Sequence, residues 1–278
     1  MTIIQELIKI MKDSMGDRGI VVEDIRIGIF YTAAKLSTGD AGVAFTPRDL
    51  EDTVCCPRSA AKMPASGKLK GKKALELMKL ATSDIALKRS VGIAVLNALS
   101  ALKMKEEEVK EGRIKKGADA LDVVEIKEGD KVAMVGAFVP FIKKLKGRSK
   151  ELYVIDKHPQ ALKAEERHMW RSSALMGDIM PRADIVVITG SSMVEGGLDE
   201  LLSACTKARE IILAGPTASA WPEPFFKRGV TVMGGISIHD ADRLLQVVSE
   251  GGSGYFFTGL ARKVAVIRGG DSFNGDFS

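Results

Sequence analysis

Apolar and polar positions change their period several times along this chain, and each change marks a new element. Ile3, Ile4, Leu7, Ile8, Ile10, Met11 and Met15 recur at helical spacing, which predicts an amphipathic first helix, broken by the glycines at 16 and 19. From residue 20 the period falls to two: Ile25, Ile27 and Ile29 alternate with Arg26, Gly28 and Phe30, the pattern of a strand with one buried face. A second short strand is expected at about 42–46, after a turn-rich 37–41, giving an antiparallel meander that Pro47 closes. The segment 48–71, with Pro57, Pro64, Ser66 and Gly67, reads as a long irregular loop, functional or disordered. Helical spacing returns at 72–80. Ser83 or Asp84 can then cap a longer helix to about Met104, whose face is Ile85, Leu87, Val91, Val95, Leu99 and Leu102.

Past a charged stretch at 103–116 the pattern becomes one of continuous apolar runs ended by turn residues: KVAMVG at 131–136, ELYVID at 151–156, DIVVITG at 184–190, EIILAGP at 210–216 and VTVMGG at 230–235. Helical segments separate them, around 141–145, through Trp170, at 198–208 and at 240–249. Strands that are apolar throughout, alternating with helices, predict a parallel sheet covered on both faces. The fold class is therefore α/β, a Rossmann-like parallel sheet preceded by a smaller α+β domain. The expected division is 1–103, a connection at 104–118, the sheet domain at 119–268 and a tail at 269–278.

Composition narrows the classes of partner. The chain of 278 residues has 41 Lys and Arg against 36 Asp and Glu, a net +5 spread along its length. The densest cluster, Lys68, Lys70, Lys72 and Lys73, has no interleaved aromatic residues on which bases would stack, so no nucleic acid is expected. Of three cysteines, Cys55 and Cys56 are adjacent and none forms a CxxC pair, which suits a reducing compartment. No run approaches the roughly 18 apolar residues of a membrane span. The first helix also lacks the character of a signal segment, so a cytoplasmic protein with no membrane partner is the expectation.

Ligands of open α/β sheets bind outside the carboxyl ends of the strands. That rule selects Gly136, Asp156, then Thr189, Gly190 and Ser191, then Gly215, Pro216 and Thr217. Asp156 follows Gly136 by twenty positions, as a ribose-binding acid would, but a carboxylate there also suits a helix cap. The first turn reads GAFVPF and keeps one glycine of GxGxxG, with Phe138 and Val139 in the way of a pyrophosphate, so NAD is disfavoured. TGSSMVEGG at 189–197 offers hydroxyls and amides for a carboxylate or phosphate, or else a simple helix cap. The rigid GP turn is expected to leave Thr217 over the rim. Asn97 lies inside the apolar IAVLNAL and needs partners once buried, from the second domain or from local backbone. Glu165 and His168, with His158 upstream, have helical ligand spacing amid the charges of a solvated helix face, and the role of His239 is open. No Ser, His and acid set emerges at known spacing.

The ordered segments VAMVGAFVPFIKKLK, ELYVIDKHP, ADIVVITGSSMVEGGLDELL, ILAGPTASAWPEPFFKRGV and GIAVLNAL resemble the heavy-metal chelation family, formerly a domain of unknown function, over nearly the whole chain. The resemblance implies an N-terminal domain similar to that of enolase, a Rossmann-like domain partly similar to methyltransferases, and a site between them. It carries over Asn97 and Asp156 as catalytic candidates, and Gly136, Asp156, Thr189, Gly190, Ser191, Gly215, Pro216 and Thr217 as ligand-binding candidates. It also implies a context of metal chelators, cobalamin or siderophores. The partner is then a small molecule, the cofactor is unknown with a transition metal as a candidate, and a homo-oligomer is compatible. Three functions follow: an enzyme acting on a chelator or related heteroatom-rich metabolite, a non-catalytic binder of a metal or metal chelate, or a methyltransferase using S-adenosylmethionine.

Overall fold

The computed structural model describes residues 1–48, 63–107, 109 and 112–269. The part of the expected loop that spans 49–62, with Pro57, Cys55 and Cys56, lies outside the described residues, as does 270–278. The first helix, Ile3–Met15, opens on a reciprocal cap: Gln5 N donates to Thr2 Oγ1 at 3.3 Å, and Thr2 N donates to Gln5 Oε1 at 2.9 Å. It buries Ile3, Leu7, Met11 and Met15, one residue per turn.

Three antiparallel strands follow, β1 (Val22–Ile27), β2 (Tyr31–Leu36) and β3 (Ala41–Phe45), in that order across the sheet. The middle strand is absent from the sequence reading, and the reason is physical. Ala34, Leu36 and Ala44 pack into the core around the long helix Ala86–Glu106, whereas Ala33 and Val43 pack against Leu244, Leu245 and Val248 of the helix Ala241–Ser249. With both faces covered, Thr32, Ala33 and Ala34 are buried in succession and no alternation survives. The one buried face expected for Ile25, Ile27 and Ile29 does not form: Ile27 and Ile29 are 41% and 63% exposed, at the end of the outer strand.

Small side chains let the long helix lie directly on this sheet. A Cβ at Gly42 would sit 2.3 Å from the Ala98 amide and 2.4 Å from the Ala94 carbonyl. The helix, expected to about Met104, runs two residues further, and Ser83 Oγ accepts from Ile85 N at 3.2 Å just before it starts. Residues 90–100 are buried on every side, because the helix is enclosed by the small sheet, the first helix, the turn Met78–Thr82 and the segments Ser192–Glu195 and Pro216–Ala218. No helix among the described residues is long and apolar enough to cross a membrane.

The larger sheet has eight strands: β4 (Gly112–Lys116), β5 (Lys131–Val135), β6 (Glu151–Ile155), β7 (Trp170–Arg171), β8 (Ile185–Thr189), β9 (Glu210–Ala214), β10 (Val232–Ile238) and β11 (Ala261–Arg268). Their order is β4-β11-β10-β9-β8-β5-β6-β7. From β7 to β10 all neighbours are parallel, and the order is that of the Rossmann fold, reversing between β5 and β8. The α/β expectation holds. Two local readings change. Part of the charged stretch taken as a connection supplies β4, an antiparallel edge strand on β11. The helix expected through Trp170 consists of 3-10 turns, Pro159–Ala161 and Ala164–Met169, because this polar run has too few apolar positions to dock a longer helix.

Acidic residues tie together the amino ends of the strands, opposite the candidate rim. Asp184 Oδ2 accepts from Lys131 N at 2.9 Å, and the Asp184 carbonyl accepts from Arg209 N at 2.9 Å. Arg209 donates to both oxygens of the buried Asp130 at 2.7 and 2.6 Å, holding that carboxyl below its ordinary value. A depressed folded-state value contributes stability above the unfolded value of about 3.9, and that contribution is lost as the pH falls through the folded value. Asp130→Asn is therefore expected to lower stability by about 1–3 kcal/mol at pH 7. Urea titrations should show the gap from the unmodified protein closing as the pH is taken below about 4.

Candidate functional site

The structure brings the ends of β5, β6, β8 and β9 onto one rim. After β5 the chain turns toward β6, and after β8 it turns toward β9, so the strand order reverses between the neighbours β5 and β8, the place where open α/β sheets take their ligands. Gly136 closes β5 at φ +83°, its amide donating to the Ile155 carbonyl at 2.8 Å. A Cβ there would lie 2.5 Å from Thr189 Oγ1, so the ends of β5 and β8 touch at this glycine. Asp156, partly buried, accepts from Ala137 N at 2.8 Å through Oδ2 and from His158 N at 2.9 Å through Oδ1. Its carboxylate thereby fixes the turn after β5 to the end of β6, and Trp170 Nε1 donates to the Asp156 carbonyl at 3.0 Å.

Thr189 Oγ1 and Ser191 Oγ are 2.8 Å apart, and Ser192 Oγ donates to the Thr189 carbonyl at 2.8 Å. The amides of Ser191 and Ser192 have no acceptor among the described residues. Gly190 donates to the Ala214 carbonyl at 2.7 Å and lies so close to the next turn that a Cβ would be 2.8 Å from Ala218 N. Gly215, at φ +115°, donates to the Gly234 carbonyl at 2.8 Å and starts the Pro216 turn.

Thr217, expected to stand over the rim, is buried and bonded to the N-terminal half: its Oγ1 accepts from Phe45 N at 2.9 Å. Its carbonyl accepts from Asn97 Nδ2 at 2.8 Å, and the second hydrogen of that amide goes to the Val43 carbonyl, also at 2.8 Å. Asn97, 1% exposed, thus joins the long helix, the small sheet and the Rossmann rim at one point. Sequence reasoning missed two residues of the same junction. Ser90, seven positions before Asn97 on the same helix face, donates to the Phe45 carbonyl at 2.7 Å. Arg89 donates to the carbonyls of Val194 at 2.5 Å, Ser83 at 2.9 Å and Glu195 at 3.1 Å, anchoring the loop after β8.

The donor set of the described residues does not fit a bare heavy-metal ion. Among the described residues no three His, Cys, Asp or Glu side chains converge. His168 Nδ1 lies 2.9 Å from the carbonyl of Glu165, and His239 Nε2 lies 3.0 Å from that of Gly259. Cys205 is buried, which pushes its thiol up to about 11, so it holds no thiolate at neutral pH. The rim offers hydroxyls, amides and one engaged carboxylate, whereas soft metals select thiolate and imidazole. A cavity of about 630 Å³ elsewhere, between Met63, Leu69, Leu77 and Leu80, has a mostly apolar wall.

Two substitutions probe this geometry. Asn97→Ala leaves two buried carbonyls without donors and is expected to cost about 2–5 kcal/mol in chemical denaturation. Gly136→Ala is expected to cost about 2–4 kcal/mol, part from positive φ and part from the clash with Thr189. In a double-mutant cycle Thr189→Ala should recover the clash and leave only the roughly 1 kcal/mol due to backbone conformation.

Residues 119–267 match one family and residues 8–100 another, both described as "Putative heavy-metal chelation". An uncharacterized protein of Methanocaldococcus jannaschii is 30% identical over 190 residues, 68% of this chain and 69% of that one. Among solved structures, a protein of unknown function from Pyrococcus horikoshii superposes with a TM-score of 0.76 at 22% identity, over 96% of this chain and all of that one. One from Desulfitobacterium hafniense DCB-2 does so with a TM-score of 0.74 at 20% identity, over 95% and 98%. At such identity these two establish the fold. The match over 119–267, more than half of the chain, places it in the DUF364 family, whose description is "Putative heavy-metal chelation".

Proposed function

We propose that the protein binds a small, anionic, heteroatom-rich compound in the crevice between the ends of β5 and β8, with the N-terminal half closing one side. The observation that carries this reading is the loop after β8: two adjacent amides, of Ser191 and Ser192, without acceptors, beside the paired hydroxyls of Thr189 and Ser191, at the point where strand order reverses. Successive free amides with a hydroxyl beside them form a concavity suited to a carboxylate or phosphate. Gly136 and Gly190 let the end of β8 and its loop pack closely on the turn after β5 and on the Thr217 turn, which supports a fixed placement of these amides and hydroxyls.

In this reading Asp156 and Asn97 are positioning residues: the first holds the turn after β5, the second holds the Thr217 turn, and both act through backbone atoms. Gly215 and Pro216 set that turn. Metal reaches the site within a chelate and is not held by protein ligands, which reconciles the family's description with a rim of oxygen and amide donors. The absence of a nucleophile and base pair among the described rim residues favours binding or delivery over chemistry on the compound.

Calorimetry and thermal shift with inorganic phosphate, citrate, ferric citrate and the bare ions Zn²⁺ and Ni²⁺ test the reading. Citrate or phosphate is expected to bind and raise the melting temperature, and ferric citrate to behave like citrate. Ser191→Ala should weaken anion binding about 10-fold, the loss of one hydrogen bond to a charged group. Stabilisation by a bare ion with no response to any of the anions would sink it.

A further inference from the structure

The small sheet has an open side. β1 is its outer strand and pairs with β2 alone. Gly28 N donates to the Tyr31 carbonyl at 2.9 Å, and bonded and unbonded pairs alternate along an antiparallel ladder. The main-chain groups of Ile25 and Ile27 are therefore turned outward, away from β2. At Val22 the outer edge is already covered: its N–H donates to the Lys72 carbonyl at 2.9 Å, and its carbonyl accepts from Gly71 N at 2.8 Å. The open edge among the described residues is thus 23–27, centred on Ile25.

Asp24 and Arg26 stand symmetrically about Ile25, on the face of the sheet where Ala33 packs. With no strand beside them they turn on their own chain: Asp24 Oδ1 accepts from Ile25 N at 2.7 Å, and Arg26 Nη2 donates to Asp24 Oδ2 at 2.8 Å. Apolar surface gathers at the end of the same strand. Ile27, Ile29, Tyr255 and Phe256 are four of the seven large apolar side chains exposed among the described residues, the last two at 73% and 66%. A Cβ on Gly251 would be 3.2 Å from Ile29 Cδ1, and Phe257 packs on Tyr31 with ring centroids 5.3 Å apart, so the tip of the hairpin and the 3-10 turn Gly254–Phe257 adjoin. An apolar patch of this kind marks an interaction surface.

We propose that β1 pairs antiparallel with β1 of a second copy of this chain, about a two-fold axis at Ile25. Residues 23–27 of each copy then face 27–23 of the other, and the two small sheets join into one of six strands. Charges on an edge usually keep other chains away, but here the strand is complementary to itself: Asp24 of each copy stands opposite Arg26 of the other, in the unbonded pairs whose side chains lie closest. Sliding the pairing by two residues would set Arg26 against Arg26 or Asp24 against Asp24, so charge selects the register. A five-residue ladder falls short of the roughly 800 Å² per partner of a stable interface, and the apolar side chains at both of its ends extend the contact.

Sedimentation velocity on the full chain at about 1–100 µM reads the assembly, and a dimer is expected. Asp24→Arg and Arg26→Asp should each weaken association at least about 10-fold, because each makes both cross-axis pairs like-charged. Mixing the two variants should restore a dimer containing one chain of each, since two arginines then face two aspartates. Hydrogen exchange of the unmodified protein needs no variant: the amides of Ile25 and Ile27 should be protected more strongly as concentration rises. A monomer throughout the range would mean that the charges only blunt the edge and would overturn the proposal. Concentration-independent exchange at 23–27, a dimer indifferent to both changes, or single variants that are folded by circular dichroism yet do not combine on mixing would do the same.

Discussion

A single buried amide decides how the two halves of this molecule meet. Asn97 has two hydrogens to give and gives one to each half, to Val43 in the small sheet and to Thr217 in the turn after β9. An amide buried to this degree has no water to fall back on, so sliding the small sheet along the rim would leave two carbonyls and a side chain unpaired together. The bond from Phe45 to Thr217 makes the same demand, and the bond from Ser90 ties Phe45 to the long helix. The cleft is thus defined by directional bonds in an otherwise apolar contact, and its walls are preformed.

Small residues make that arrangement possible. Gly42 lets the long helix touch the sheet, Gly92 lets it touch the backbone of Ala81, and Gly190 lets the loop after β8 rest against the Thr217 turn. Each is a place where backbone meets backbone, so helix, sheet and rim are spaced by main-chain dimensions. The polar groups of the rim are consequently placed by the scaffold, and the atoms of the proposed site come from loops that the scaffold holds at both ends.

Much of this was legible from residue patterns. Five apolar runs separated by helices define a covered parallel sheet, and the strand-end rule then names Gly136, Asp156, Thr189 and Gly215 without any coordinates. What stayed hidden was every feature that depends on which surfaces meet. Tyr31–Leu36 has no alternation because two helices cover it, and Thr217 looked like an exposed turn residue because the sequence does not show Phe45 lying across it. Asn97 was visible as an anomaly, an amide in an apolar helix, but its partners are 54 and 120 positions away. Asp156 was found for its type and spacing. Its engagement with the Ala137 and His158 amides is a matter of local geometry that type and spacing leave open.

The strand β4 has an implication for how this chain can be divided. The similarity that defines the C-terminal family begins at residue 119, yet the sheet of that half is finished by Gly112–Lys116, which precedes it. A fragment cut at the family boundary would bare the ladder edge of β11, a row of unpaired donors and acceptors that invites edge-to-edge association. The crossing between the halves is therefore part of a sheet and not a tether. The natural module, for recombination as for expression, is larger than its sequence signature.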